Sequence, residues 1–128
     1  MWLSHACMHC SNPSCMAVCP AGAFLKRDDG IVVLDRSKCT GCGLCRSACP
    51  YDAIVISKKD GKAAKCNMCI ELLDAGLNPA CVDGCPIKCL KVGNTAQVLN
   101  QTPDASRQGI GYRDGPNRPN MVIIRRRR

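Results

Sequence analysis

Cysteine is the residue whose number and spacing could do chemistry here: 13 of 128 residues, in three runs that each close on Cys-Pro. The first is Cys7-x2-Cys10-x4-Cys15-x3-Cys19-Pro20 and the second Cys39-x2-Cys42-x2-Cys45-x3-Cys49-Pro50. The third is Cys66-x2-Cys69-x11-Cys81-x3-Cys85-Pro86, with Cys89 left over. Disulfides explain this pattern poorly. The count is odd, and neighbours three to five positions apart seldom pair. The start, Met1-Trp2-Leu3-Ser4-His5, also has neither the basic segment nor the apolar stretch of an export signal. Metal-bound thiolate is the better account of so cysteine-dense a chain.

A [4Fe–4S] cube needs four thiolates converging on a compact cofactor. Three cysteines two residues apart wrap three corners, and such a loop cannot bend far enough to supply the fourth. In the bacterial Cys-x2-Cys-x2-Cys-x3-Cys-Pro run the last cysteine ligates the other cluster. That pattern predicts one cluster on Cys7, Cys10, Cys15 and Cys49, and a second on Cys39, Cys42, Cys45 and Cys19. The second run matches without exception, while the first carries two extra residues, with Asn12-Pro13 as the bulge. Each following proline reads either as a chain breaker or as a cover, its ring shielding the cluster and its missing N–H removing a competing donor. Zinc is the metal alternative. Its four-cysteine sites use two well-separated Cys-x2-Cys knuckles, which the second run does not resemble. Cys66, Cys69, Cys81 and Cys85 fit a zinc ribbon-like site better. His5 reads as solvated and His9 as a loop residue beside the cluster, because the complete cysteine sets leave neither a vacancy.

The elements that must position these thiolates are short. Phe24-Leu25 and Ile31 to Leu34 flank Asp28-Asp29-Gly30, which predicts a hairpin. Ile54-Val55-Ile56 runs into a second turn at Lys59-Asp60-Gly61-Lys62. Short helices are expected over the Cys-x3-Cys steps, whose four-residue spacing puts both thiolates on one face. Another is expected from Cys69 to Leu73, with a glycine cap at Gly76. The fold class is therefore small α+β, a ferredoxin-like two-cluster core of hairpins and short helices. Residues 1–100 form the iron–sulfur domain, with 1–60 the paired-cluster half and 61–100 the third cysteine group. Residues 101–128 form an extended basic arm, docked at most through Met121-Val122-Ile123-Ile124.

The formal charge of +8 raises nucleic acid as a partner. Residues 101–128 hold seven arginines against Asp104 and Asp114, and residues 1–100 carry the remaining +3. A cube with its four thiolates carries about −2, so two clusters take the body to about −1 and three to about −3. The basic excess is then compensation plus a tail. With Trp2, Phe24, Tyr51 and Tyr112 the only aromatics, base stacking has little to work with. The Arg125 to Arg128 run reads as a solvated terminus or a grip on an acidic partner. No apolar run reaches the length of a membrane span.

Three stretches carry a family resemblance: Cys7-Met8-His9-Cys10 with Asn12-Pro13-Ser14-Cys15; Cys49-Pro50-Tyr51; and Cys66-Asn67-Met68-Cys69 with Gly76-Leu77-Asn78-Pro79-Ala80-Cys81-Val82-Asp83-Gly84-Cys85-Pro86. Together they resemble the iron–sulfur subunits of dimethyl sulfoxide reductase, formate dehydrogenase and related molybdenum enzymes, over residues 4 to about 93. Pro119-Asn120-Met121-Val122-Ile123 is similar to a tail segment of some members. The resemblance implies two ferredoxin-like halves and a chain of four clusters. It also implies a molybdopterin catalytic subunit and a quinone-reactive membrane subunit as partners. Members carry a further cysteine group ahead of these three, which exchanges ligands with the last, and the sequence begins after it. Cys66, Cys69 and Cys81 thus lack their expected fourth donor, and Cys85 lacks the cluster it serves. Either Cys85 or Cys89 closes a self-contained third site, or the site is empty or three-iron, or the chain is a fragment. Cys89 stands where the family has a small apolar residue and reads equally as a buried small hydrophobe.

The resulting expectation is an electron-transfer subunit with no active site of its own, cytoplasmic or held at a membrane through its partners. A free-standing two-cluster ferredoxin is the near alternative. A cysteine-rich zinc interaction module is the distant one.

Overall fold

The computed structural model describes residues 6–106 and 115–124, which fall into two units. The first unit is one design used twice. Helix α1 (Ser14–Ala17) leads to a hairpin of β1 (Phe24–Lys26) and β2 (Val32–Leu34), and α2 (Leu44–Ala48) leads to a hairpin of β3 (Val55–Ile56) and β4 (Ala63–Ala64). Both hairpins are antiparallel, with Phe24 opposite Leu34 in one and Val55 opposite Ala64 in the other. Their turns use the same device. The carboxylates of Asp29 and Asp60 accept from the backbone N–H two residues on, at Ile31 and Lys62 (3.1 and 3.2 Å).

Helices of four or five residues are too short to hold themselves, so packing must. Helices α1 and α2 lie against each other, and α1 also meets β1. The core is Phe24, Val32, Cys45, Ile54 and Ala63, and Cys15, Cys19, Cys39 and Cys49 pack against it with Leu34 and Ile56. Sulfur thus takes the place that aromatic rings fill in an ordinary small core. Ile54 is 1% exposed, and truncating it to alanine is expected to cost about 2–5 kcal/mol. A lower thermal midpoint by circular dichroism would register it.

Residues 115–121 belong to this first unit. The N–H groups of Ser11 and Asn12 donate to the carbonyls of Arg118 and Asn117 (2.8 and 3.0 Å), and that of Asn120 to Met8 (3.0 Å). The arm is therefore docked through its middle, not only through its apolar end. Asn117 and Pro119 are buried there.

The second unit holds α3 (Ile70–Asp74), α4 (Ala80–Asp83), α5 (Thr95–Gln101) and a two-residue pairing of β5 (Ala105–Ser106) with β6 (Ile123–Ile124). Helix α3 ends at Gly76, whose φ is +75°. Its N–H donates to Leu73, and that of Leu77 donates to Leu72 (2.9 and 2.8 Å), the paired bonds of a Schellman cap. Helix α5 opens on a capping box of Asn94 and Gln97. Among the described residues, no helix is long and apolar enough to cross a membrane.

Candidate metal centre

The loop that presents the first two cysteines of each run has one recurring backbone feature. The residue just before the second cysteine is left-handed in all three: His9 (φ +43°), Gly41 (+76°) and Met68 (+62°). Left-handed backbone is uncommon without glycine, so its recurrence at one position marks a shared loop shape. A second repeat follows each Cys-Pro. Gly22, Asp52 and Lys88 are again left-handed, and each donates its N–H to the carbonyl of the cysteine three residues earlier (3.3, 3.3 and 3.1 Å).

These turns decide where the last cysteine of each run goes. Helix α1 stops at Ala17 and α2 at Ala48, short of Cys19 and Cys49. Cys49 is extended (φ −81°, ψ 112°). The two thiols of a Cys-x3-Cys step consequently do not share a face, contrary to the expectation from helical spacing. Cys15 and Cys19 open onto different cavities, as do Cys45 and Cys49.

The first cavity, of about 390 Å³, is lined by Cys7, Cys10, Cys15 and Cys49 with Val32, Pro50, Tyr51 and Ile54 among its walls. The second, of about 310 Å³, is lined by Cys39, Cys42, Cys45 and Cys19, with Phe24, Leu34 and Ala63 beside them. Each cavity takes three cysteines from one run and one from the other. Their similar size and mostly apolar walls suit two copies of one cofactor.

All thirteen cysteines are free thiols. Burial first, then the neighbouring Cys7 and Cys49, pushes the Cys10 thiol up to about 11. Burial and Cys7 do the same to Cys15, also to about 11. Cys45 is raised by burial, and by Cys39 and Cys42 beyond it. Thiols so placed give up their protons readily only to a positive partner, which the ferric and ferrous ions of a cluster supply. In the second cavity, N–H groups of Ala23 and Ala63 already point at Cys19 and Cys39 Sγ (both 3.4 Å).

The donor geometry separates a cluster from a single ion. A tetrahedral zinc draws its sulfurs to within about 4 Å of each other. Among the described residues, no three His, Cys, Asp or Glu side chains come close enough to hold one ion. Four cysteines spread around a cavity fit a cube instead. His9, 2% exposed, adds a donor. Its Nδ1 accepts from Val32 N–H at 3.1 Å, which leaves the ring proton on Nε2, buried with no hydrogen-bond partner among the described residues. Burial, then Lys65, lowers its pKa to about 4, so the ring is neutral near pH 7. His9 is no exposed loop residue but part of the packed interior.

The third group is less assembled. Cys66 belongs to the first unit, and Cys69, Cys81, Cys85 and Cys89 to the second. Cys69 precedes α3, Cys81 lies in α4, and Cys85 follows it. The Sγ atoms of Cys85 and Cys89 are 3.4 Å apart. Cys89 backbone and side chain lower the Cys85 pKa, and the thiol–thiol bond raises that of Cys89. Cys89 is exposed, which overturns its reading as a buried hydrophobe. His5, Trp2, Tyr112 and the Arg125 to Arg128 run lie outside the described residues.

Sequence reasoning missed Asn117, which lines the first cavity and accepts from Ser14 Oγ at 2.5 Å. No spacing rule links residues so far apart.

Comparison with known proteins agrees with this geometry. The family model described as 4Fe-4S dicluster domain matches residues 1–95. A polypeptide of the anaerobic dimethyl sulfoxide reductase of Escherichia coli is 38% identical over 122 residues, 95% of this chain and 60% of that protein. A component of the tetrathionate reductase of Salmonella typhimurium is 51% identical over 83 residues, 65% of this chain and 33% of that protein. The electron transfer subunit of the thiosulfate reductase of Salmonella typhi is 45% identical over 89 residues, 69% of this chain and 46% of that protein. The chain thus spans about 60% or less of the length of these relatives.

Proposed function

The chain belongs to the 4Fe-4S dicluster domain family, and on that premise we propose that it transfers electrons through [4Fe–4S] clusters as the iron–sulfur subunit of a reductase complex. One cluster is held by Cys7, Cys10, Cys15 and Cys49, the other by Cys39, Cys42, Cys45 and Cys19. The observation that carries this reading is the pair of cavities, each lined by four cysteines drawn three and one from the two runs. A bound cluster supplies one-electron redox chemistry. The protein supplies burial, spacing and hydrogen bonds to sulfur. The polypeptide has no catalytic task in this scheme.

A third cluster on Cys66, Cys69 and Cys81, closed by Cys85 or Cys89, extends the proposal. It is supported by the left-handed Met68, which gives Cys66-x2-Cys69 the same loop turn as the other two runs. The relatives' names support partners as well. A molybdopterin-containing catalytic subunit takes or gives the electrons at one end, and a quinone-linked membrane subunit does so at the other.

Iron and acid-labile sulfide per chain test the cofactor reading. About eight of each is expected for two clusters and about twelve for three, in a brown protein whose visible absorption bleaches on reduction. A colourless protein loaded with zinc would sink it. Copurification with a molybdopterin-containing subunit tests the partner.

A further inference from the structure

Two lysines of the first unit are tied to the wall of the first cavity by backbone oxygens. Lys26 Nζ donates to the carbonyls of Ser11 and, at 3.5 Å, Cys10. Lys65 Nζ donates to those of Val32 and, at 3.0 Å, Cys66. Cys10 and Val32 both line that cavity. Carbonyls fix an ammonium group without neutralising it, so both positive charges stay whole. The cations flanking the second run are placed differently. Lys38 pairs with Asp35 (3.9 Å) and Arg46 with Asp52 (3.7 Å), each charge facing a carboxylate. What the second cavity has instead is the pair of amide N–H groups aimed at its sulfurs.

We propose that Lys26 and Lys65 are positioning residues that raise the reduction potential of the cluster in the first cavity, selectively over its neighbour. This rests on the two-cluster reading above. Reduction takes a cube and its thiolates from about −2 to about −3. A fixed positive charge stabilises the more negative state, and its effect falls only as the inverse of distance. An amide dipole falls off faster and acts on the sulfur it touches. Burial works against reduction, because a dry site disfavours added charge. The lysines offset that burial in the first cavity, and removing them leaves it unopposed.

The test is a redox titration of the full, reconstituted chain followed by electron paramagnetic resonance, with iron per chain read on the same samples. Lys26→Gln and Lys65→Gln keep a donor for the carbonyl and remove the charge. Each is expected to lower the midpoint of one signal, the double variant to lower it further, and the other signal to stay in place. Lys26→Arg and Lys65→Arg, which keep the charge, are expected to leave both midpoints near the parent values. The shifted signal must be the one missing in Cys49→Ala. In one-electron-reduced protein the double Gln variant moves the electron's share from the first cluster toward the second. Midpoints that stay put, or that move together, in variants holding the parent's iron would overturn the proposal. A parent chain that never binds about eight irons would instead sink the two-cluster reading beneath it.

Discussion

Cys49→Ala is expected to cost the protein the cluster enclosed by Cys7, Cys10 and Cys15 while leaving intact the one enclosed by Cys49's own run. Iron should fall by about four per chain, or by about one if a three-iron cluster survives on the remaining thiolates. Cys49 stands at the end of α2, yet it lines the first cavity and is absent from the lining of the second. The reason is local. Helical geometry stops at Ala48, and the turn through Pro50 and Tyr51 to the left-handed Asp52 carries the chain on. The packing of α1 beside α2 then brings the end of each helix to the other's site. Cys19→Ala is the mirror experiment and should empty the second cavity. Two spectroscopically distinct clusters make the pair decisive, since each variant should erase a different signal. If Cys49→Ala selectively lost the cluster of Cys39, Cys42 and Cys45, the exchange of ligands would be wrong.

Much of this site is written in short-range spacing, and that part is legible without coordinates. Asp28-Asp29-Gly30 between apolar runs announces the first hairpin, and the strands close in register with Phe24 opposite Leu34. Gly76 announces the end of α3 because only a residue at ease with positive φ completes that cap. Strand β4 is harder. Ala63 and Ala64 have no strand preference, and they pair because the turn at Asp60-Gly61 returns the chain and Ala63 is buried at 1%. Helix α5 has a readable start in Asn94 and Gln97, three apart, but lies in a stretch of weak apolar pattern. The long-range contacts carry no spacing signal at all. Asn120 Nδ2 donates to the His9 carbonyl at 2.6 Å across more than a hundred residues. Lys26 and Lys65 look like ordinary surface cations until their carbonyl partners are seen. Cysteine spacing tells which residues bind, and tertiary structure tells what surrounds them.

Gly41→Ala should be the most damaging substitution that removes no ligand. Its φ of +76° accounts for only part of the effect. His9 and Met68 hold the same position in their loops with side chains attached, so left-handed backbone there is tolerated, at about 1–2 kcal/mol. What sets Gly41 apart is the second hairpin. A Cβ on Gly41 would stand 2.3 Å from the Gly61 carbonyl oxygen and 3.2 Å from its carbon. Both atoms are backbone, in a turn closed by bonds from Gly61 to Ser57 and from Ser57 to Lys62 (2.8 and 2.9 Å), so the turn cannot give way cheaply. Either the loop carrying Cys39 and Cys42 shifts or the hairpin does. The hairpin carries Ala63, whose N–H meets Cys39 Sγ. Both routes displace ligands of the second cluster, and the expected result is loss of that cluster, about four irons per chain, with the first one retained. Gly43→Ala is the control. Its φ is +77° but a Cβ there meets nothing within 4 Å, so it pays only the conformational cost and should keep both clusters. Full iron and unchanged signals in Gly41→Ala would mean that the loop and the Gly61 turn do not approach this closely. Loss of the second cluster in Gly43→Ala as well would assign the sensitivity to left-handed backbone instead of to the contact.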